Sequence, residues 1–126
     1  MYRLMLVFAL IGSMTANGQK RATVVEDTAF YMGSRYAVGD TVALMYGSNP
    51  NKSFAFISIG GAMTGVTDLE SGWAKSDIVI NKVYQNGKTV YLRGKLKGTG
   101  PNKVFINLEG AIDNKELLPQ TQTQTQ

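Results

Sequence analysis

Apolar and polar positions alternate with a period of two along much of the chain, which is the pattern of β-strands. The clearest alternation lies in 88–97, where Val90, Leu92 and Leu96 share one face with Gly94. Short extended runs of this kind are 22–25, 29–32, 41–46, 54–59, 78–84, 88–97 and 104–108. After residue 18 no stretch sustains the 3.6-residue apolar period of a long helix. The pattern therefore predicts a small β domain of about six short strands.

Turn residues separate these runs and predict how the runs are connected. Asn86-Gly87 separates two extended runs, and this dipeptide favours the type I′ turn of a β-hairpin over 78–97. The glycine-rich stretch 60–72 has no clear period and is predicted to be a loop, whereas 109–117 is predicted to form a short helix. The predicted fold class is all-β, an SH3-like or OB-like barrel or roll with a short C-terminal helix.

The N-terminus has the pattern of a secretory signal peptide. Arg3 precedes the apolar run 4–11, and the small residues Ala16 and Gly18 follow it at the two positions that signal peptidase reads. The run is too short for a permanent membrane span. We therefore predict a signal peptide over 1–18, one β domain over 19–118 and a disordered Gln/Thr tail over 119–126. The mature protein is expected to be exported, in the periplasm or outside the cell, and soluble.

Composition excludes several chemistries. The chain has no histidine and no cysteine, which rules out a Ser-His-Asp triad, a Cys-His dyad, disulfides and an ordinary zinc site. The net charge is +4, and Arg3 is the only charge of residues 1–18, so the mature chain carries +3. This mild excess does not indicate a nucleic-acid partner. No phosphate-loop motif follows the glycine pairs at 60–61 and 98–100, and we expect no cofactor and no metal.

Two stretches carry a family resemblance. The first is Val38-Gly39-Asp40-Thr41-Val42-Ala43-Leu44, followed by Gly47-Ser48-Asn49-Pro50-Asn51, Phe54 and Ile57. The second is Ile106-Asn107-Leu108-Glu109-Gly110-Ala111-Ile112 with Lys115-Glu116-Leu117. Over residues 36–117 they resemble a family of small, uncharacterised exported proteins of Bacteroidota-type bacteria. The resemblance implies an exported small β domain and brings no catalytic residue with it.

A basic hairpin is the first candidate site. Six cations and no acid lie between residues 82 and 103, interleaved with Tyr84 and Tyr91. The strand period places Tyr91, Arg93, Lys95 and Lys97 on one face. Cations beside aromatic rings can hold an anionic polymer. Lysines on an edge strand also block edge-to-edge aggregation, and this structural explanation stands beside the functional one.

Trp73 and the carboxylates give two further candidates. Trp73, the only tryptophan, directly follows the glycine-rich stretch, where it either stacks on a ligand or closes one end of the core. The acids Asp40, Asp68, Glu70 and Asp77 could supply the two carboxyl groups of a small hydrolase. For Asp40, after Gly39, a hydrogen bond to the backbone of a turn is a sufficient explanation.

The sequence therefore predicts a non-enzymatic exported module for binding or assembly in the cell envelope and leaves its ligand open, with an envelope protein and an anionic glycan as candidate partners. The first alternative is a module that holds an anionic glycan or lipid headgroup through the basic hairpin. The second alternative is a carboxylate-dependent hydrolase. The candidate ligand-binding residues are Tyr91, Arg93, Lys95, Lys97 and Trp73.

Overall fold

The computed structural model describes residues 21–61 and 65–120. The predicted signal peptide and its cleavage site after Gly18 lie outside these residues, as does the part of the predicted tail from Thr121 onward. In the described chain no helix is long and apolar enough to cross a membrane.

The first three strands form a small antiparallel sheet. They are β1 (Thr23–Val25), β2 (Thr28–Tyr31) and β3 (Ser34–Ala37), in the order β1-β2-β3. Each connection is a two-residue turn. Glu26 has a φ of 55° in the first, and Met32 and Gly33 have φ values of 53° and 83° in the second. Positive φ at such positions matches the right-handed twist of the flanking strands.

The other six strands form a second antiparallel sheet in the order β4-β7-β8-β9-β5-β6. They are β4 (Thr41–Ala43), β5 (Ile57–Gly61), β6 (Gly65–Asp68), β7 (Asp77–Asn86), β8 (Thr89–Leu96) and β9 (Val104–Asn107). A 3-10 helix (Ser71–Trp73) precedes β7, and helix α1 (Leu108–Asp113) follows β9 directly. The Asn107 side chain caps α1 by accepting a hydrogen bond from the Gly110 N–H.

The core lies between the inner face of the six-stranded sheet, the small sheet and α1. Alternate residues of the long strands are buried there, among them Ile78, Ile80, Leu92 and Ile106. Polar contacts join the layers at the periphery. The Tyr31 hydroxyl donates to the carboxylate of Asp113 in α1 at 2.7 Å. The outer face of the six-stranded sheet lies on the opposite side from the core.

The chain after α1 covers the end strand β4. Leu117 forms an antiparallel bridge with Leu44. The Met45 N–H donates to the Glu116 carbonyl at 2.8 Å, and the Leu118 N–H donates to the Ala43 carbonyl at 2.9 Å. An uncovered edge strand presents unpaired backbone groups that promote aggregation, so this pairing protects one end of the sheet.

The all-β class and the short C-terminal helix are confirmed. The described strands do not close into a barrel, because β4 and β6 end the larger sheet without pairing with each other. Two strands were not predicted. β3 contains the polar Ser34 and Arg35, and β6 lies in the segment predicted to be a loop.

The predicted hairpin is present, but its turn is displaced by one residue. Asn86 pairs with Thr89, so Gly87 and Lys88 are the central residues of the turn. Gly87 has a φ of 65°, whereas neither Asn86 nor Lys88 has a positive φ. This pattern is typical of type II′, in which glycine occupies the first central position, and not of the predicted type I′ turn.

Gly87→Val should lower the free energy of unfolding by about 1–2 kcal/mol, because a β-branched residue resists positive φ. Asn86→Val is the matched control. It introduces the same side chain one position earlier, on an exposed strand residue without positive φ. Urea denaturation of the three proteins measures the effect. Equal stability of Gly87→Val and Asn86→Val would contradict this assignment of the turn.

Candidate functional site

The outer face of the hairpin β7–β8 carries the predicted basic residues. On β8 the side chains of Val90, Leu92 and Leu96 are buried. Tyr91, Arg93 and Lys95 alternate with them and therefore lie on the opposite face, as the sequence period predicts. Lys97 lies one residue beyond the end of the strand and is exposed.

A β-bulge in β7 brings the matching residues of that strand to the same face. The pairing register shifts between Ile80, opposite Gly94, and Lys82, opposite Arg93, so Asn81 is an extra residue. The shift reverses the alternation. Ile80 is buried before it and Val83 after it, which leaves Lys82 on the outer face. Without the bulge the strand period would place Lys82 toward the core.

Two tyrosines form an aromatic pair on this face. Tyr84 of β7 lies opposite Tyr91 of β8. Their rings stack, with centroids 5.3 Å apart and planes inclined by 19°, and the Lys82 Nζ lies 5.4 Å from the Tyr84 ring centroid. Burial raises the pKa of the Tyr84 hydroxyl, Tyr91 raises it further and Arg93 lowers it. The Tyr84 phenol is therefore neutral at physiological pH and can donate a hydrogen bond.

Two cations lie directly opposite each other beside the tyrosines. Lys82 pairs in register with Arg93, and like charges at such positions destabilise a sheet. The Arg93 Nε is buried and has no hydrogen-bond partner among the described residues. No acid occurs in the sequence between Lys82 and Lys103 to offset these charges. An anion supplied from outside would relieve the repulsion between Lys82 and Arg93.

Strand β9 extends the face on the other side of β8. Phe105 pairs with Arg93, and Asn107 pairs with Tyr91. The Phe105 ring lies over Gly60 of β5, where an added Cβ would come within 2.9 Å of the ring. We call this surface the cationic face. Its members are Lys82 and Tyr84 of β7, Tyr91, Arg93 and Lys95 of β8, and Phe105 of β9.

Trp73 lies at the other end of β8 from the tyrosine pair. It is half-buried and packs against the core. A Cβ added at Gly100 would lie 3.1 Å from Leu96 and 3.3 Å from the Trp73 Cη2, so the indole adjoins the turn after β8. Leu96 is five residues from Tyr91, about 17 Å along the strand. Trp73 is therefore not part of the aromatic pair, and its contacts favour the role of closing the core.

The candidate acids have separate surroundings. The Asp40 carboxylate accepts a hydrogen bond from the Ala37 N–H at 2.9 Å, the kind of backbone contact that the sequence predicts. Asp68 accepts one from the Asn49 side chain at 3.2 Å and lies on β6, four strands away from Asp77 on β7. Within the described ranges no three acids lie close enough together to hold a metal ion.

Glu116 is a buried carboxylate that the sequence did not single out. Its side chain is fully buried. Oε2 accepts hydrogen bonds from the Ser48 N–H at 2.9 Å, the Ser48 hydroxyl at 2.6 Å and the Ala55 N–H at 2.7 Å, and Oε1 accepts one from the Phe56 N–H at 2.9 Å. These four bonds fix the 48–56 loop to the chain after α1. Because its acceptor sites are used within the protein, Glu116 has a structural role.

Comparison with known proteins assigns no family. No protein-family model, curated protein or solved structure matches this chain. A functional hypothesis therefore has to rest on the geometry of the cationic face.

Proposed function

We propose that this protein is a non-enzymatic, exported binding module of the cell envelope that holds an anionic glycan on the cationic face. The observation that carries the proposal is the cross-strand pair Lys82–Arg93, which lies beside the stacked rings of Tyr84 and Tyr91. The signal peptide pattern of residues 1–18 supports the location.

The charge arrangement supports an anionic ligand. A cross-strand pair of opposite charge would stabilise the hairpin, whereas Lys82 and Arg93 repel each other. An anion bound between them converts this repulsion into two attractions. A guanidinium can also bind a carboxylate or sulfate through two parallel hydrogen bonds.

The aromatic pair supports a glycan as the source of that anion. Tyr84 and Tyr91 are half-buried and stack on each other across two strands, so the pair presents apolar ring surface and two phenol groups beside the cations. Such amphipathic side chains can contact both the apolar C–H groups and the hydroxyls of a sugar.

A lipid bilayer fits the cationic face less well. Docking to a bilayer favours protruding apolar side chains that enter the interface. The described residues with that character include Phe30, 40% exposed, and Met32, 61% exposed, and both belong to the β2–β3 hairpin of the other sheet. The cationic face presents half-buried rings instead.

Replacing Lys82, Arg93 and Lys95 together by Gln should weaken binding to a heparin matrix. We expect the slope of log K against log salt to fall by about 2–3, since each lost ion contact contributes about 0.7–0.9. The fold should be retained, because the exposed Lys82 and Lys95 contribute little to stability and the half-buried Arg93 lies opposite a like charge. The measurement is salt-gradient elution, with circular dichroism to verify folding.

The matched control replaces Arg35, Lys52 and Lys115 by Gln. It removes the same charges from exposed positions outside the cationic face and should elute close to the wild-type protein. If both triple variants elute together, binding reflects net charge alone and the proposed site is wrong. If the wild-type protein itself elutes at low salt, the protein is not a module for anionic glycans.

Assembly with an envelope protein is the second candidate function. It is favoured by exposed apolar side chains of the small sheet, since Val25 (61% exposed) and Phe30 (40% exposed) lie on its outer face and Met32 (61% exposed) lies in the β2–β3 turn. A methionine with positive φ at a turn is uncommon, and an exposed apolar tip suits a protein contact. This surface is separate from the cationic face, so the two functions are compatible.

A further inference from the structure

We infer that the ligand of the cationic face is a linear polyanion that lies along β8 and occupies several repeat units, and not a single anionic group. This inference rests on the proposed function and specifies its ligand. It follows from how far the cations extend along the strand and from what borders them at each end.

The cations follow the strand at regular intervals. Outward-facing residues of β8 are two positions apart, so Tyr91, Arg93 and Lys95 succeed each other at about 6.7 Å, and Lys97 follows just beyond the strand. From Tyr91 to Lys97 the distance is therefore about 20 Å. We call this row of outward-facing residues, Tyr91 to Lys97, the track. A single phosphate, sulfate or carboxylate can contact Lys82 and Arg93 together, but it cannot also reach Lys97.

The neighbouring strand on the other side widens this track without interrupting it. Val104 pairs with Gly94, so antiparallel pairing places Lys103 next to Lys95. Phe105, opposite Arg93, covers Gly60 and leaves no charged side chain at that position. Cations thus lie along β8 from Arg93 to its C-terminal end, where they can bind successive anionic groups of a polymer.

Both ends of the track have features that limit its length. At the hairpin end the aromatic pair is followed by the uncharged Asn86 and Thr89, which lie opposite each other. At the far end the Lys97 N–H donates to the carbonyl of Asp77, an exposed acid at the start of β7. Since a carboxylate repels a polyanion, we expect bound units to extend from the tyrosine pair to Lys97 and no further.

Heparin oligosaccharides of defined length test this inference by isothermal titration calorimetry. For the wild-type protein, Kd should fall by about tenfold or more from the disaccharide to the hexasaccharide, because each added contact is intramolecular once the first is made. Binding should stop improving once the oligosaccharide exceeds the track. An equal Kd for the disaccharide and the hexasaccharide would overturn the inference while leaving the proposed function intact.

Two double variants separate the part of the track beside the tyrosine pair from the part that ends at Lys97. Lys95→Gln with Lys97→Gln should weaken hexasaccharide binding and leave disaccharide binding nearly unchanged. Lys82→Gln with Arg93→Gln should weaken both. If the two double variants affect every length equally, the ligand does not extend along β8. Absence of binding at any length in the wild-type protein would overturn the proposed function itself, which is a different outcome.

Discussion

Glu116→Ala should lower the free energy of unfolding by about 3 kcal/mol or more, a large part of the 5–15 kcal/mol typical of a domain. The substitution removes the acceptor of four hydrogen bonds and leaves the N–H groups of Ser48, Ala55 and Phe56 without it. Hydrogen bonds to a charged group contribute about 1.5–3 kcal/mol each, and the freed groups of the exposed residues Ser48 and Ala55 can recover part of this from water. Urea denaturation of the protein measures the loss.

Two further variants make the origin of this loss testable. Glu70→Ala deletes the same side chain from an exposed position where it forms no capping hydrogen bond, and it should change stability by less than about 0.5 kcal/mol. Glu116→Gln keeps the shape but points an amide N–H₂ at backbone donors, so its loss should lie between the other two. If Glu116→Ala and Glu70→Ala are equally stable, the 48–56 loop does not depend on Glu116.

Local periodicity explains what the sequence could predict. The alternation of β8 is visible in ten residues, and it correctly placed Tyr91, Arg93 and Lys95 opposite Leu92 and Leu96. A strand exposes alternate residues whatever the rest of the fold does. The hairpin follows from the same local signal, since a glycine with positive φ marks the chain reversal.

The missed features depend on contacts between distant parts of the chain. The role of Glu116 involves partners about sixty residues away, and nothing in the adjacent Lys115 or Leu117 indicates them. Strand β6 pairs through the backbone of a glycine-rich segment, where few side chains produce an alternating pattern. These elements form because tertiary contacts stabilise them, and a single sequence does not display such contacts.

The candidate site could be predicted only in part, because its assembly also depends on contacts between distant parts of the chain. Its β8 residues follow from alternation, and the cluster of charge around them is visible in the sequence. The direct opposition of Lys82 and Arg93 depends on the bulge at Asn81, and the position of Phe105 depends on the pairing of β9. Register is a property of two strands together. The arrangement of these residues on one surface could therefore be seen only in the structure.

The bulge also makes Gly94 the residue on which the cationic face most depends. Gly94 pairs with Ile80 at the point where the register of β7 shifts. A Cβ at this position would collide with the backbone carbonyl of Val79 and would lie 2.7 Å from the Ile78 Cγ2. Because a backbone carbonyl in a paired strand cannot move aside as a side chain can, the two strands would have to separate or change register.

Gly94→Ala should therefore lower the free energy of unfolding by about 3 kcal/mol, near the upper end for overpacking. It should also weaken heparin binding in any protein that still folds, since a changed register separates Lys82 from Arg93. Gly72→Ala is the control, because a Cβ there meets no atom within 4 Å and the residue has no positive φ. Thermal unfolding and salt-gradient elution measure the two effects. If Gly94→Ala is as stable as Gly72→Ala and elutes at the same salt concentration, then β7 and β8 tolerate a side chain at position 94. In that case the bulge does not set the geometry of the cationic face.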